Sequence, residues 1–316
     1  MTLSSRHLVD PQLLKLLDSV PAGDITAEML PLLRRAPARF EVNARDIERT
    51  DMTVQRVPGP AGAPEVSVNI YRPKGTAGFL PCIFHIHGGG YVMGSAGSME
   101  AAHRPMASDL ACCIVSVDYR LAPETRFPGA IEDCYSALSW VVTNAATLGI
   151  DTTRIGVMGE SAGGGLAAAL ALMVRDRGEF RLAFQHLIFP MIDDRTCVAT
   201  DPHPFAGEFV WTPQRNHFGW SSLLGVEPGS DGVSPYAAAA RAENLAGLPP
   251  AYLATGSLDL FLEEDLEYAR RLWRAGAPTE LHVYPGGFHG FQWDPTADIT
   301  RAAKRDSYAA LTKAMA

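Results

Sequence analysis

The chain has no dense block of Lys or Arg. Its 27 basic residues are scattered among 35 acidic ones, giving a formal charge of −8. A nucleic-acid partner is therefore not expected. Long apolar runs are also missing. Residues 166–174 form the best candidate, which is too short to cross a bilayer and reads as a core helix, so no membrane partner is expected. Residues 1–10 lack the basic stretch followed by an apolar run that marks a signal peptide, so none is expected. The five cysteines, Cys82, Cys112, Cys113, Cys134 and Cys197, are odd in number and show no C-x-x-C spacing. They read as reduced, mostly buried thiols in a cytoplasmic protein. No grouping of His, Cys, Asp and Glu has metal-ligand spacing, and the G-x-x-x-x-G-K phosphate loop is absent. Neither a metal nor a cofactor is expected. No internal repeat or low-complexity tract is present.

With 316 residues, 47% hydrophobic and 20% charged, the chain can bury a large core. That length suits one α/β domain with an insertion, or two domains. Residues 1–45 read as short helices broken by prolines. They could form a cap, a dimer arm or a brace, so a homodimer is one assembly to consider. Residues 53–57 and 66–71 alternate about a Pro-Gly turn, which predicts an antiparallel pair. Unbroken apolar strands follow at 82–86, 111–117, 154–158, 183–189, 251–255 and 281–284. Helical patterns at 99–110, 130–146, 166–177, 263–275 and 297–314 lie between or after them. Such alternation predicts an α/β fold, with a mostly parallel sheet covered by helices on both faces. Residues 191–245 break the pattern and carry Phe205, Phe209, Trp211, Phe218 and Trp220. A connection that long reads as a functional insertion. The expected organisation is thus an N-terminal segment (1–45), core (46–190), insertion (191–245) and core (246–316).

Gly159-Glu160-Ser161-Ala162-Gly163 is a G-x-S-x-G elbow between a predicted strand and helix. Such a turn exposes Ser161 and aims the first amides of a helix at whatever the serine attacks. Ligands of an open α/β sheet bind at the carboxyl ends of its strands. Asp259 and His289 each follow a later strand at that end, so serine, acid and histidine come in the order of an α/β-hydrolase triad. Ser161 needs a base, His289 can serve as one, and Asp259 can hold the imidazole tautomer. The amides of Gly88, Gly89 and Ala162 can face a developing oxyanion. Glu263, Glu264 and Asp265 compete with Asp259 as the acid, but they read as the first turn of a helix. His85, His186 and His282 read as strand histidines, and His87 as a loop brace.

Four ordered motifs carry a resemblance. His87-Gly88-Gly89-Gly90, Asp118-Tyr119-Arg120-Leu121-Ala122-Pro123-Glu124, Gly159-Glu160-Ser161-Ala162-Gly163-Gly164 and His289-Gly290-Phe291 together resemble the hormone-sensitive-lipase group of α/β-hydrolases. The resemblance implies a carboxylesterase that works through an acyl-serine. The aromatics of residues 191–245, if they roof the site, shorten its pocket, so short-chain esters are the expected substrates. The resemblance also implies Ser161, Asp259 and His289 as the triad, Gly88, Gly89 and Ala162 as the oxyanion hole, and a helical cap made from residues 1–45 and 191–245. Tyr91, Trp211 and Leu260 are the expected substrate contacts. Arg120 and Glu124 are expected to pair within a structural turn. Two departures stand out: Leu260 replaces the proline that often follows the acid, and Glu160 stands where the group often has Asp. An amidase or arylformamidase would use the same triad. A non-catalytic receptor on this scaffold would commonly lack the histidine, and His289 is present.

Overall fold

In the computed structural model, which describes residues 4–21 and 23–316, eight strands form one sheet in the order β1-β2-β4-β3-β5-β6-β7-β8. They are β1 (Thr50–Val57), β2 (Val66–Pro73), β3 (Leu80–Ile86), β4 (Cys113–Asp118), β5 (Ile150–Glu160), β6 (Gln185–Ile188), β7 (Ala251–Gly256) and β8 (Thr279–Tyr284). The pairs β1–β2 and β2–β4 are antiparallel, and every later pair is parallel. The burial patterns follow from this placement. Every residue of β3 and β7 is buried, because both faces of these inner strands are covered. The edge strand β1 faces water along most of its length, and Val54 is 58% exposed.

The α-helices are α1 (Leu14–Ser19), α2 (Leu30–Leu33), α3 (Ala44–Arg49), α4 (Glu100–Leu110), α5 (Gly129–Thr143), α6 (Ala145–Leu148), α7 (Ala162–Arg177), α8 (Pro213–Leu224), α9 (Leu262–Arg274) and α10 (Asp298–Ala314). On one face, α5, α7 and α9 share a core with the inward side chains of β2 to β7. On the other, α4 and α10 pack against Ile83, Ile114 and Met158. Residues 162–174 of α7 are all buried, which explains an apolar sequence without a polar stripe. The helix ends at Gly178, whose φ of +67° suits a left-handed cap.

The N-terminal segment is helical and interrupted, as its prolines suggest; residues 1–3 and 22 of that segment lie outside the described residues. Leu13 and Leu16 are buried beside Tyr252, Phe288 and Phe291. Arg34 donates to the carbonyls of Val92 and Ala122, both at 2.8 Å. The stretch 191–245 holds α8 and two single turns of 3₁₀ helix, and its Trp220 and Leu223 join the core beneath the sheet. The two segments touch: Ser5 donates to Glu208, and Arg215 donates to the carbonyls of Pro21 and Gly23.

One expected pair is not formed. Arg120 makes a two-pronged bond to the fully buried Asp133 of α5, at 2.7 and 2.8 Å. Glu124 pairs with Arg34 instead. A buried carboxylate needs a cation more than an exposed one does, and Glu124 is largely in water. The pairing with Arg34 holds the Glu124 carboxyl down to about 2. The turn is structural all the same: Tyr119 donates to the His87 carbonyl at 2.8 Å and stacks on the His87 ring.

Candidate active site

The site sits where β3, β5, β7 and β8 end. Ser161 follows β5 with φ 55° and ψ −124°, a region that L-residues rarely enter. Such strain costs about 1–3 kcal/mol and persists only where the surroundings enforce it. Here three backbone bonds do so: the Ser161 amide donates to Ile188, and the Ser161 carbonyl accepts from Gly165 and Met191, all at 2.9 Å. The flanking glycines are required by contact. A Cβ on Gly159 would stand 2.3 Å from the Gly163 carbonyl oxygen, and one on Gly163 would stand 2.0 Å from that of Ile86.

His289 lies between the other two groups. Its Nε2 is 3.0 Å from Ser161 Oγ, and its Nδ1 is 2.8 Å from Asp259 Oδ2. The carboxylate can only accept, so Nδ1–H donates to it, which leaves Nε2 as the acceptor for the serine proton. Asp259 is fully buried, and its other oxygen accepts from the Phe261 amide at 3.0 Å. Phe189 and Phe261 meet the imidazole edge-on at 4.7 and 5.2 Å between centroids, and Trp211 lies at 6.2 Å. Those rings hold its plane and exclude water from the pair.

Ala162 opens α7, so its amide has no acceptor within the helix. The Gly88 and Gly89 amides make no hydrogen bond among the described residues. The Gly88 backbone abuts the elbow: a Cβ there would stand 2.9 Å from the Glu160 carbonyl oxygen. The Gly88 backbone and the positive end of a sixteen-residue helix thus lie beside the serine.

Comparison with known proteins gives the family. The alpha/beta hydrolase fold family matches residues 83–293. The chain belongs to this family, in its hormone-sensitive-lipase-like branch. A solved bacterial heroin esterase is 36% identical with a TM-score of 0.90, over 99% of both chains. Esterase LipI of Mycobacterium tuberculosis is 33% identical across 92% of this chain and 90% of its own length. Carboxylesterase NlhH of the same organism is 32% identical across 91% and 90%.

Within this alpha/beta hydrolase the remaining expected residues fall into place differently. Glu263, Glu264 and Asp265 lie in the first turn of α9, and none of them pairs with His289. Glu263 is exposed. Glu264 is buried and accepts from the Ile192 amide at 2.7 Å and from that of Asp193 at 3.2 Å, tying down the start of residues 191–245. Burial pushes the Glu264 and Asp265 carboxyls up from their ordinary range. Tyr91, expected to touch substrate, is buried, with its hydroxyl donating to Met191 at 2.8 Å and its ring against Trp220. It braces the loop after the glycines. Leu260 is half-buried next to Gly207.

Trp211 reaches the site through a feature that the sequence does not announce. Val210 has φ +61°, and the Trp211 amide donates back to Phe209 at 2.7 Å, closing a tight turn. Arg215 donates to the Val210 carbonyl, and Trp211 Nε1 donates to Asn216 at 3.1 Å. Helix α8 therefore holds the turn from both sides. No apolar periodicity encodes a positive φ at a β-branched residue; only contacts made after folding impose it.

Proposed function

We propose that this chain is a serine carboxylesterase that cleaves short-chain carboxylic esters through an acyl-serine. The observation that carries this reading is the hydrogen-bonded series from Ser161 through His289 to Asp259, with amides at Gly88, Gly89 and Ala162 that make no hydrogen bond among the described residues. Ser161 Oγ attacks the ester carbonyl as His289 Nε2 takes its proton. The three amides hold the oxyanion. The tetrahedral adduct collapses as His289 returns the proton to the leaving alcohol, and Asp259 stabilises the imidazolium throughout. Water, activated by the same imidazole, then hydrolyses the acyl-serine. Fixed amide dipoles are worth more where water is excluded, and losing one donor typically costs about 3–4 kcal/mol of barrier lowering.

The N-terminal segment and residues 191–245 serve as a cap over this site. Their mutual bonds through Glu208 and Arg215, and the position of Trp211, support that role. Trp211 and Leu260 contact the substrate. The four buried and one half-buried free cysteines suit a reducing compartment, the cytoplasm. Among the described residues no helix is long and apolar enough to cross a membrane. A homodimer is the assembly to test by light scattering.

The test is a panel of p-nitrophenyl esters from acetyl to palmitoyl, run beside matched anilides. Turnover of short esters with little anilide cleavage is expected. Preference for the anilide would make the protein an amidase, and silence on both would leave only the fold.

A further inference from the structure

Glu160 stands next to the nucleophile, yet the triad does not use it. Its side chain reaches a buried cluster on β3 and β4. Glu160 Oε2 lies 2.9 Å from His85 Nε2, and His85 Nδ1 lies 3.0 Å from Ser116 Oγ. A carboxylate only accepts, so His85 donates from Nε2 and its Nδ1 accepts the Ser116 hydroxyl proton. The imidazole is fully buried, and the Glu160 side chain is 18% exposed. His103 of α4 closes over the His85 ring at 4.2 Å between centroids. Both His103 nitrogens are without a partner among the described residues, so His103 contributes packing and no competing bond.

The pair joins two strands whose ends must keep register. His85 is on β3, three residues before Gly88, and Glu160 ends β5 one residue before Ser161. These strands run parallel, with Ile86 opposite Gly159. On its other flank the strained Ser161 backbone is held by residues 188–191. On the β3 flank the one side-chain tie from the elbow among the described residues is Glu160 to His85.

We propose that Glu160 is a positioning residue: through His85 it fixes Ser161 relative to the Gly88 and Gly89 amides, and its length explains why Glu stands at this position. An Asp is one methylene shorter, which opens a 2.9 Å contact beyond hydrogen-bond range. Positional errors of about 1 Å cost on the order of 100-fold in rate. The pair acts on the transition state, where the oxyanion seats, more than on the bound ester.

This rests on the esterase reading, so two readouts are used. One is kcat and KM for p-nitrophenyl butyrate. The other is the rate at which a fluorophosphonate labels Ser161, which needs the elbow and oxyanion hole whatever the natural substrate. Wild-type turnover tests the esterase reading, and ratios between variants test the pair. Glu160→Ala is expected to lower kcat and the labelling rate together by about 10- to 100-fold, with KM within about twofold. Glu160→Asp keeps the charge but loses the reach, and is expected to match Glu160→Ala. Glu160→Gln keeps the reach and an acceptor, and is expected to recover at least about tenfold over Glu160→Ala. His85→Phe combined with Glu160→Ala is expected to be no slower than Glu160→Ala alone. The proposal is overturned if Glu160→Asp or Glu160→Ala turns over and labels like wild type. It is overturned too if Glu160→Gln is as slow as Glu160→Ala, or if the loss appears in KM with kcat intact.

Discussion

The Trp211 indole rests against Gly90 so closely that a Cβ there would stand 2.1 Å from its Cη2 atom. Gly90 also has φ +60°, so position 90 excludes a side chain twice over. The contact places a rigid wall between the glycine loop and His289, held by the Asn216 hydrogen bond.

We expect a wall of that kind to set a length limit. Each methylene that finds room gains about 0.8 kcal/mol, roughly fourfold, until the chain meets the wall. The enzyme is expected to prefer acetyl to hexanoyl esters and to fall steeply at decanoyl. Trp211→Ala is expected to move that optimum to longer chains, measured as kcat/KM along the p-nitrophenyl series. An unchanged profile would place the limit elsewhere, and palmitate preference at emulsified interfaces would remove the limit altogether.

The acid of the triad is testable against its neighbours. Asp259→Asn leaves the packing but spoils the tautomer of His289, and a loss of about 10⁴-fold in kcat is expected. Glu263→Gln alters an exposed first-turn carboxylate, with at most a fraction of a kcal/mol of helix stability at stake. Equal losses in the two variants would move the acid to α9.

Much of this arrangement is legible in the sequence because it is local. The apolar strands, the elbow and the glycine loop are each set by neighbours in the chain, through periodicity or a glycine that a turn demands. Their order alone leads to Ser161, Asp259 and His289. What escapes is long-range pairing. Arg120 chooses Asp133 over Glu124 because Asp133 is buried by α5, a fact of packing. Tyr91 looks like a substrate contact because it follows the glycines, yet the main chain at Met191 takes its hydroxyl. The Val210 turn and the His85–Glu160 pair are likewise made by segments far apart in sequence.

Removing residues 1–40 is expected to cut activity sharply. It strips Leu13 and Leu16 from the core around Phe288 and Phe291, and takes away the Arg34 bonds to Val92 and Ala122. Arg34→Ala is the milder form, with a several-fold loss in kcat expected from a looser loop after the glycines. A truncated enzyme with full activity and the same chain-length profile would show that this segment is no part of the roof.

A buried imidazole gives a stability signature with a definite sign. His186 is stacked on Tyr252 and bonded to Ser307, and burial holds its pKa down to about 3. Unfolded, the ring takes a proton below about pH 6.5, so the unfolded chain binds more protons there. The stability tied to a neutral ring is complete above that pH and is lost as pH falls towards 3, at about 1.4 kcal/mol per unit. Urea unfolding of wild type and His186→Asn compares them directly. Their difference in stability is expected to be constant from pH 7 to 8 and to shift against wild type between pH 6.5 and 4.5. A difference independent of pH would mean that the ring takes up a proton in the folded chain as readily as in the unfolded one.

The central claim is that Ser161 carries the acyl group. Wild-type protein and Ser161→Ala are treated with a fluorophosphonate, digested and mapped by mass, with p-nitrophenyl butyrate turnover read on the same samples. One adduct is expected on the peptide holding Ser161, with loss of turnover in step with labelling and no label in Ser161→Ala. This variant is expected to keep the fold but only a residual ~10³–10⁴-fold over water, from binding and the oxyanion hole. An adduct on another residue, or near wild-type turnover in Ser161→Ala, would contradict the claim.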